Sequence, residues 1–391
     1  MMRSLCALAR YRIPLKQKNK SVRRVAADYI FPVSGPPLKN GIIEFDEQGK
    51  ILSLTDTHGK LTELSGLEYY NGVLVPGFIL PCFRIEPFIF NARITDSSGL
   101  KRFIIKELET VVPAPETDKR FNELDIQLHK SGIHAIGCIT SRFHFFRNKS
   151  EGSLIYHSFI EIPPKKQVEA FELFTKAVED IMTAWNEYGL SSSIIPFECC
   201  SEEIMEHIVD FSTTHENPLI LRCIGNTPFS IPDSFSAILS RITGMEKDVA
   251  MNNFRNPVII ISDNLSELPG TLTVRNFLLY PSDKTYIIAK RFTGKKFWNR
   301  YSKNILFSGY MLDFNPEVPI IDELKFIQAK NPWLSFQDLI RCFTLNPACA
   351  LNMDQHSGSL NPGKKPGLNL ITNFNFNDFK LKDSSEIKLL T

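Results

Sequence analysis

The chain has 391 residues, 43% hydrophobic and 23% charged, which places it among globular proteins and excludes wholesale disorder or a fibrous architecture. Lysine and arginine total 45 against 43 aspartates and glutamates, a net charge of +2 that argues against nucleic-acid partners, whose binding needs a strongly basic face. No apolar run reaches the roughly 18 residues of a membrane span, so no membrane partner is expected.

Residues 1–24 carry Arg3, Arg10, Arg12, Lys16, Lys18, Lys20, Arg23 and Arg24 with no acid before Asp28. Their apolar stretch, residues 4–9, is too short for a secretory signal, so a disordered basic tail is expected. Residues 25–72 read as short strands and turns. Runs at 27–33 and 41–45 lead into the turn Asp46-Glu47-Gln48-Gly49, and 51–54 returns as a hairpin with glycine where a positive φ is wanted.

From residue 73 the pattern changes. Apolar, strand-length runs at 73–80, 135–139, 154–162, 193–196, 218–221, 257–261, 276–279 and 304–307 alternate with helical periodicity. Fully apolar strands separated by helices imply a parallel sheet covered on both faces. Val168, Phe171, Phe174, Val178, Met182 and Trp185 recur at helical spacing, with Gly189 as the stop. Ser335-Phe336-Gln337-Asp338 reads as a capping box opening a helix through Leu339, Ile340 and Phe343. After His356 strand patterning returns, with a turn at Pro362-Gly363, a strand over 368–371 and a last run near Ile387.

Eight strand–helix units over 73–355 predict an α/β fold, a (β/α)8 TIM-type barrel. The segments 25–72 and 356–391 are too small to fold alone, so a small β-sandwich lobe formed by the N- and C-terminal segments together is expected. The eight cysteines, at 6, 82, 138, 199, 200, 223, 342 and 349, form no Cys-x-x-Cys pair and read as buried thiols of a cytoplasmic protein. There is no Gly-x-Ser-x-Gly, no Gly-x-Gly-x-x-Gly after a strand and no phosphate loop; Gly294-Lys295-Lys296 lacks the rest of one. The 30 phenylalanines show no basic-aromatic interleaving and read as core.

Four local sequences carry a family resemblance: Ala27-Asp28-Tyr29-Ile30-Phe31, Lys39-Asn40-Gly41-Ile42-Ile43, Gly72-Val73-Leu74-Val75-Pro76-Gly77-Phe78 and Gly358-Ser359-Leu360-Asn361-Pro362-Gly363. In order and spacing they resemble the amidohydrolase superfamily, in its metal-dependent deaminase and chlorohydrolase branch. The resemblance implies the barrel-plus-lobe layout and hydrolysis at C–N bonds. It also implies zinc or another divalent metal at the C-terminal strand ends, generating hydroxide from bound water. The family's ligands are a His-x-His after strand one, histidines ending strands five and six, and an aspartate ending strand eight.

The matching positions here hold Cys82 and Arg84, then Arg222, Ser262 and Tyr310, while Gly225 and Phe197 stand at two further functional positions of the family. The chain has no histidine between His58 and His129 and none between His215 and His356, so no small change of register restores the set. Arginine offers a metal a fixed charge and no lone pair, and no metal or other cofactor is expected.

Arg84, Glu86 and Arg222 admit two readings. One is a pocket for a small-molecule anion. The other is a buried ion-pair cluster, Arg84 with Glu86 or Asp263, filling the metal's space. Cys82 and Cys223 read as inert thiols, and His144 is the one histidine considered for a site. The overall readings are a pseudoenzyme, as a homodimer or a partner of an active paralogue; a hydrolase or deaminase rebuilt from His144, Asp263, Asp313 and Cys82; and an anion-binding module using Arg84 and Arg222.

Overall fold

A computed structural model describes residues 22–92, 102–104, 114–163, 167–196, 201–223, 240–242, 244–246, 256–262, 276–280, 298, 305–307 and 319–391. Strand β1 (Arg23–Ile30) begins inside the expected basic tail, because Arg23 and Arg24 form ion pairs with Glu68 and Glu44. Around it, β2 (Leu38–Lys39), β3 (Ile42–Phe45), β4 (Ile51–Thr55) and β5 (Leu67–Pro76) join β14 (Leu368–Thr372) and β15 (Glu386–Leu389) in one mixed sheet. Its order is β15-β14-β5-β1-β3-β4, with β2 on β1, so the two ends of the chain do build one sheet. The β3–β4 turn is the expected hairpin, with Gly49 at φ 76. Val25, Ile30, Ile43, Phe45, Leu74 and Leu370 form the core of this sheet.

The run expected as one strand over 73–80 is split. Residues 73–76 pair with β14 in the terminal sheet, and β6 (Phe78–Arg84) starts after Gly77. Gly77 turns the chain where Pro366 O accepts its N–H at 3.0 Å and His134 leaves no room for a Cβ.

Among the described residues, β6, β7 (Ile133–Thr140), β8 (Ile155–Ile162) and β9 (Ser191–Pro196) form one parallel sheet. Strands β10 (Leu219–Cys223), β11 (Val258–Ser262), β12 (Asn276–Tyr280) and β13 (Ile305–Phe307) form a second. Strand β9 packs against β10. The helices are α1 (Glu86–Ile89), α2 (Pro115–Lys130), α3 (Phe146–Glu151), α4 (Gln167–Tyr188), α5 (Glu202–Thr214), α6 (Ile320–Lys330), α7 (Phe336–Phe343) and α8 (Leu345–Ala350). Both α7 and α8 pack against β6 and β13.

Ser335 Oγ caps α7 by accepting from Asp338 N at 3.1 Å, and it donates to Asp338 Oδ2 at 2.7 Å, so the aspartate pairs with the hydroxyl where a full capping box would take the backbone N–H of Ser335. The inner face of α4 differs from the expected stripe. Ala170, Ala177, Ile181 and Ala184 are buried, whereas Phe171 and Met182 are exposed. The small residues at i, i+7 and i+14 bring the helix close to β8 and β9 and rotate the larger side chains to its flank. No described helix is long and apolar enough to cross a membrane.

Candidate functional site

Strand β6 runs from Phe78 to Arg84 with every side chain buried. Its register against β7 slips between Leu80 and Phe83, a bulge that brings the Pro81 carbonyl onto Gly137, where no Cβ fits. Past the bulge, Arg84 closes the strand with no solvent exposure. Cys82, also fully buried, lies two residues before it.

Nη1 of Arg84 donates to Glu86 Oε2 and to Ser141 Oγ, each at 2.8 Å, and Nη2 donates to Glu161 Oε2. The Ser141 hydroxyl in turn donates a hydrogen bond to Glu161 Oε2 at 3.0 Å. Glu86, at the start of α1, uses its other oxygen to accept the backbone N–H groups of Ser141 at 2.9 Å and Arg142 at 3.1 Å. Consecutive amides aimed at one carboxylate oxygen form an anion nest, here filled by the protein's own side chain. Burial works against charge on Arg84, but Glu161 and Glu86 outweigh it and hold the guanidinium above its ordinary pKa.

The expected partnership of Arg84 with Glu86 is therefore present, with Glu161 as a second carboxylate that the sequence reading did not single out. Its signal was available: Glu161 is the one charged residue in the run 154–162. Of the other sequence candidates, Arg222 is the penultimate residue of β10, one short of its expected place at the strand end, and Ser262 is the last of β11. Arg222 is in register with Ile261 and Cys223 with Ser262, and the side chains of Arg222 and Ser262 lie outside the described residues. Tyr310, Asp263, Asp313, Phe197 and Gly225 lie outside them altogether.

The described part of the site does not fit a divalent metal. Arg84 stands where the resemblance implies a histidine ligand, and a guanidinium has no lone pair to give. A unit positive charge about 4 Å from another is repelled by ~4 kcal/mol at an effective dielectric of 20. Glu86 and Glu161, the nearest carboxylates, are both engaged by the guanidinium. Among the described residues, no group of three His, Cys, Asp or Glu side chains could hold a metal ion.

His144 lies just past the C-terminal end of β7. Its Nδ1 is 3.0 Å from Thr140 Oγ1 and its Nε2 is 3.2 Å from Asp180 Oδ2 on α4. Burial pushes the Asp180 carboxyl up, but His144 and Lys176 outweigh it and hold it below its ordinary pKa. A cavity of about 450 Å³ opens between these groups and the Arg84 cluster, lined by Ser141, Arg142, His144, Glu161, Lys176 and Asp180 with an apolar wall. Of the remaining histidines, His157 is a buried wall residue held between Ser191 Oγ and Ser193 Oγ, each at 2.8 Å. His207 is half-buried against Phe171 and Phe174.

No protein-family model and no curated protein matches the chain. Solved structures do. An adenosine deaminase from Xanthomonas campestris with bound zinc is 15% identical, with a TM-score of 0.62 over 89% of this chain and 84% of that one. An aminofutalosine deaminase from Helicobacter pylori, in complex with methylthio-coformycin, is 14% identical, with a TM-score of 0.62 over 90% and 92% of the two chains. An atrazine chlorohydrolase from Arthrobacter aurescens complexed with zinc is 12% identical, with a TM-score of 0.65 over 92% and 89%. The chain has the fold of these deaminases and this chlorohydrolase.

Proposed function

We propose that this chain is an amidohydrolase-fold pseudoenzyme: a closed (β/α)8 barrel with a terminal β-lobe, in which a buried ion-pair cluster takes the place of the metal centre. Closure is supported by β9 packing on β10 and by α7 and α8 bridging β13 and β6. The reading is carried by Arg84, buried at the end of β6 between Glu86 and Glu161. Without a Lewis acid, attack of water on a C–N carbon loses both its nucleophile and its electrophilic activation. What the fold retains is a shaped surface for binding or assembly, as a homodimer or beside an active paralogue. The test is elemental analysis of protein purified without chelators, together with zinc titration followed by thermal unfolding. Metal far below one equivalent per chain and no zinc-dependent rise in Tm are expected; near-stoichiometric metal overturns the proposal.

A second reading is favoured by His144. Held by Asp180 at the edge of a cavity beside the strand ends, its imidazole has the arrangement of an oriented general base. It predicts hydrolysis by chelator-treated protein that is lost in His144→Gln. Turnover of C–N substrates by metal-free protein, abolished by that change, replaces the pseudoenzyme with a rebuilt hydrolase.

A further inference from the structure

A second and larger cavity lies at the opposite end of the strands. It has a volume of about 610 Å³ and is framed by the residues that open β8 and β9, the loop after α8 and the β3–β4 turn. Ile155 and Glu161 are six residues apart on β8, so this cavity stands about 20 Å from the Arg84 cluster at 3.3 Å per residue.

Its lining is electrostatically one-sided. Lys50, Lys149, Lys365 and His356 contribute to it, and no aspartate or glutamate does. None of the three lysines forms an ion pair with a described residue. Ser357 lines the same space with its side chain buried, and its hydroxyl has no partner among the described residues. The frame is preformed. Ile51 N donates to Lys364 O at 2.9 Å and Gly363 N to Ile51 O at 2.8 Å, tying the hairpin to the segment before β14, and Lys365 N donates to His356 O at 2.8 Å, folding that segment on itself.

We propose that this cavity binds a phosphomonoester, a small molecule with a dianionic phosphate on an apolar, ring-bearing body. Lys50 and Lys365 are exposed point charges suited to phosphate, whereas the buried Lys149 ammonium is engaged by Ser158; no arginine fork is present to favour a single carboxylate. The buried Ser357 hydroxyl supplies a hydrogen-bond donor to the headgroup. Leu154, Leu190, Leu351, Met353 and Tyr188 form the wall for the organic body. The volume is that of a small-molecule site. Because the site joins the terminal sheet to the loops at the N-terminal ends of β8 and β9, occupancy stabilises the docking of one on the other.

The test uses the full chain, with phenyl phosphate, inorganic phosphate and phenol as probes against sodium chloride at matched ionic strength. Thermal unfolding and titration calorimetry are the readouts. Phenyl phosphate is expected to raise Tm and bind more tightly than inorganic phosphate, with the two competing, while phenol has no effect. Lys50→Ala combined with Lys365→Ala removes two exposed charges and is expected to weaken binding about tenfold or more, whereas the distant Lys119→Ala leaves it unchanged. Ser357→Ala weakens it further. The proposal is overturned if no probe exceeds chloride, or if the folded double variant keeps full affinity. Equal binding of phenyl and inorganic phosphate overturns the assignment of an organic body.

Discussion

The guanidinium of Arg84 reaches from the end of β6 across the full width of β7 to bond Glu161 on β8, and neither side chain has any contact with solvent. One cation thus ties three parallel strands together, with Glu86 and Ser141 closing the circuit. Removing one member of such a buried cluster strands the others. Arg84→Ala leaves two carboxylates facing each other without their counter-ion, at an expected cost of about 3–5 kcal/mol in urea unfolding. Replacing the three charges together, by Arg84→Met, Glu86→Gln and Glu161→Gln, removes the stranded charge and recovers most of that loss. A triple variant as unstable as Arg84→Ala contradicts this account.

Acid stability carries a second signature of the same interior. Burial lowers the pKa of His157 from 6.5 to about 3, so the folded protein keeps the ring neutral between Ser191 and Ser193. The unfolded chain takes up a proton at its ordinary pKa. The stability from this group is therefore complete above about pH 6.5 and falls as pH drops toward 3, by about 1.4 kcal/mol per pH unit. His134, lowered to about 4 chiefly by burial, acts in the same direction. His157→Gln keeps a hydrogen-bonding side chain that does not titrate. Unfolding free energies measured from pH 7 to pH 4 should show a slope shallower by one proton in that variant; an unchanged slope removes His157 as the cause.

How far the sequence reached follows from what each signal measures. Period and punctuation made the strands and their helical alternation legible, because burying an apolar strand needs only one-dimensional pattern. The split at Gly77 was not legible, since both halves of the run 73–80 are equally apolar and only pairing with β14 or β7 separates them. At the site, Cys82 and Arg84 follow from their spacing after Pro76-Gly77-Phe78, and Glu86 from being a carboxylate two residues past Arg84. Glu161 on β8 and Ser141 just after β7 lie 77 and 57 residues from Arg84, and only the fold brings them to it. The lysine-lined cavity left no trace at all: Lys50 sits at the β3–β4 turn, Lys149 on α3 and Lys365 before β14, among ordinary polar residues, and only the fold brings them together.

At the seam between β5 and β14, which joins the two chain ends in one sheet, one backbone position has no room for a side chain. Gly72 in β5 has φ 141, donates its N–H to Asp28 Oδ2 at 2.7 Å and lies against β14, where a Cβ would run into the Ile371 carbonyl oxygen. Both the dihedral and the contact exclude an L side chain. Gly72→Ala is expected to cost about 2–4 kcal/mol and to expose the C-terminal strands to limited proteolysis before the rest of the chain. The same change at Gly35, where a Cβ meets nothing within 4 Å, should be nearly neutral and serves as the control. Equal protease resistance of the two variants contradicts the role given to Gly72.

Lys149 is the reverse of Arg84. It too is buried, but its Nζ donates to the hydroxyl of Ser158 at 3.0 Å and forms no ion pair with a described carboxylate. Burial accordingly lowers its pKa below the ordinary lysine value. A lysine lowered in the folded state penalises folding at neutral pH, where the unfolded chain holds its proton more readily. That penalty disappears only as pH rises past the ordinary lysine value. Lys149→Met keeps the length of the side chain and discards the charge, so the variant should be more stable than the parent by about 1–3 kcal/mol near pH 7. The advantage should shrink as pH approaches 10.5. Unfolding midpoints at the two pH values test both the sign and the trend. A destabilised variant at neutral pH means that the ammonium is compensated by a group other than Ser158.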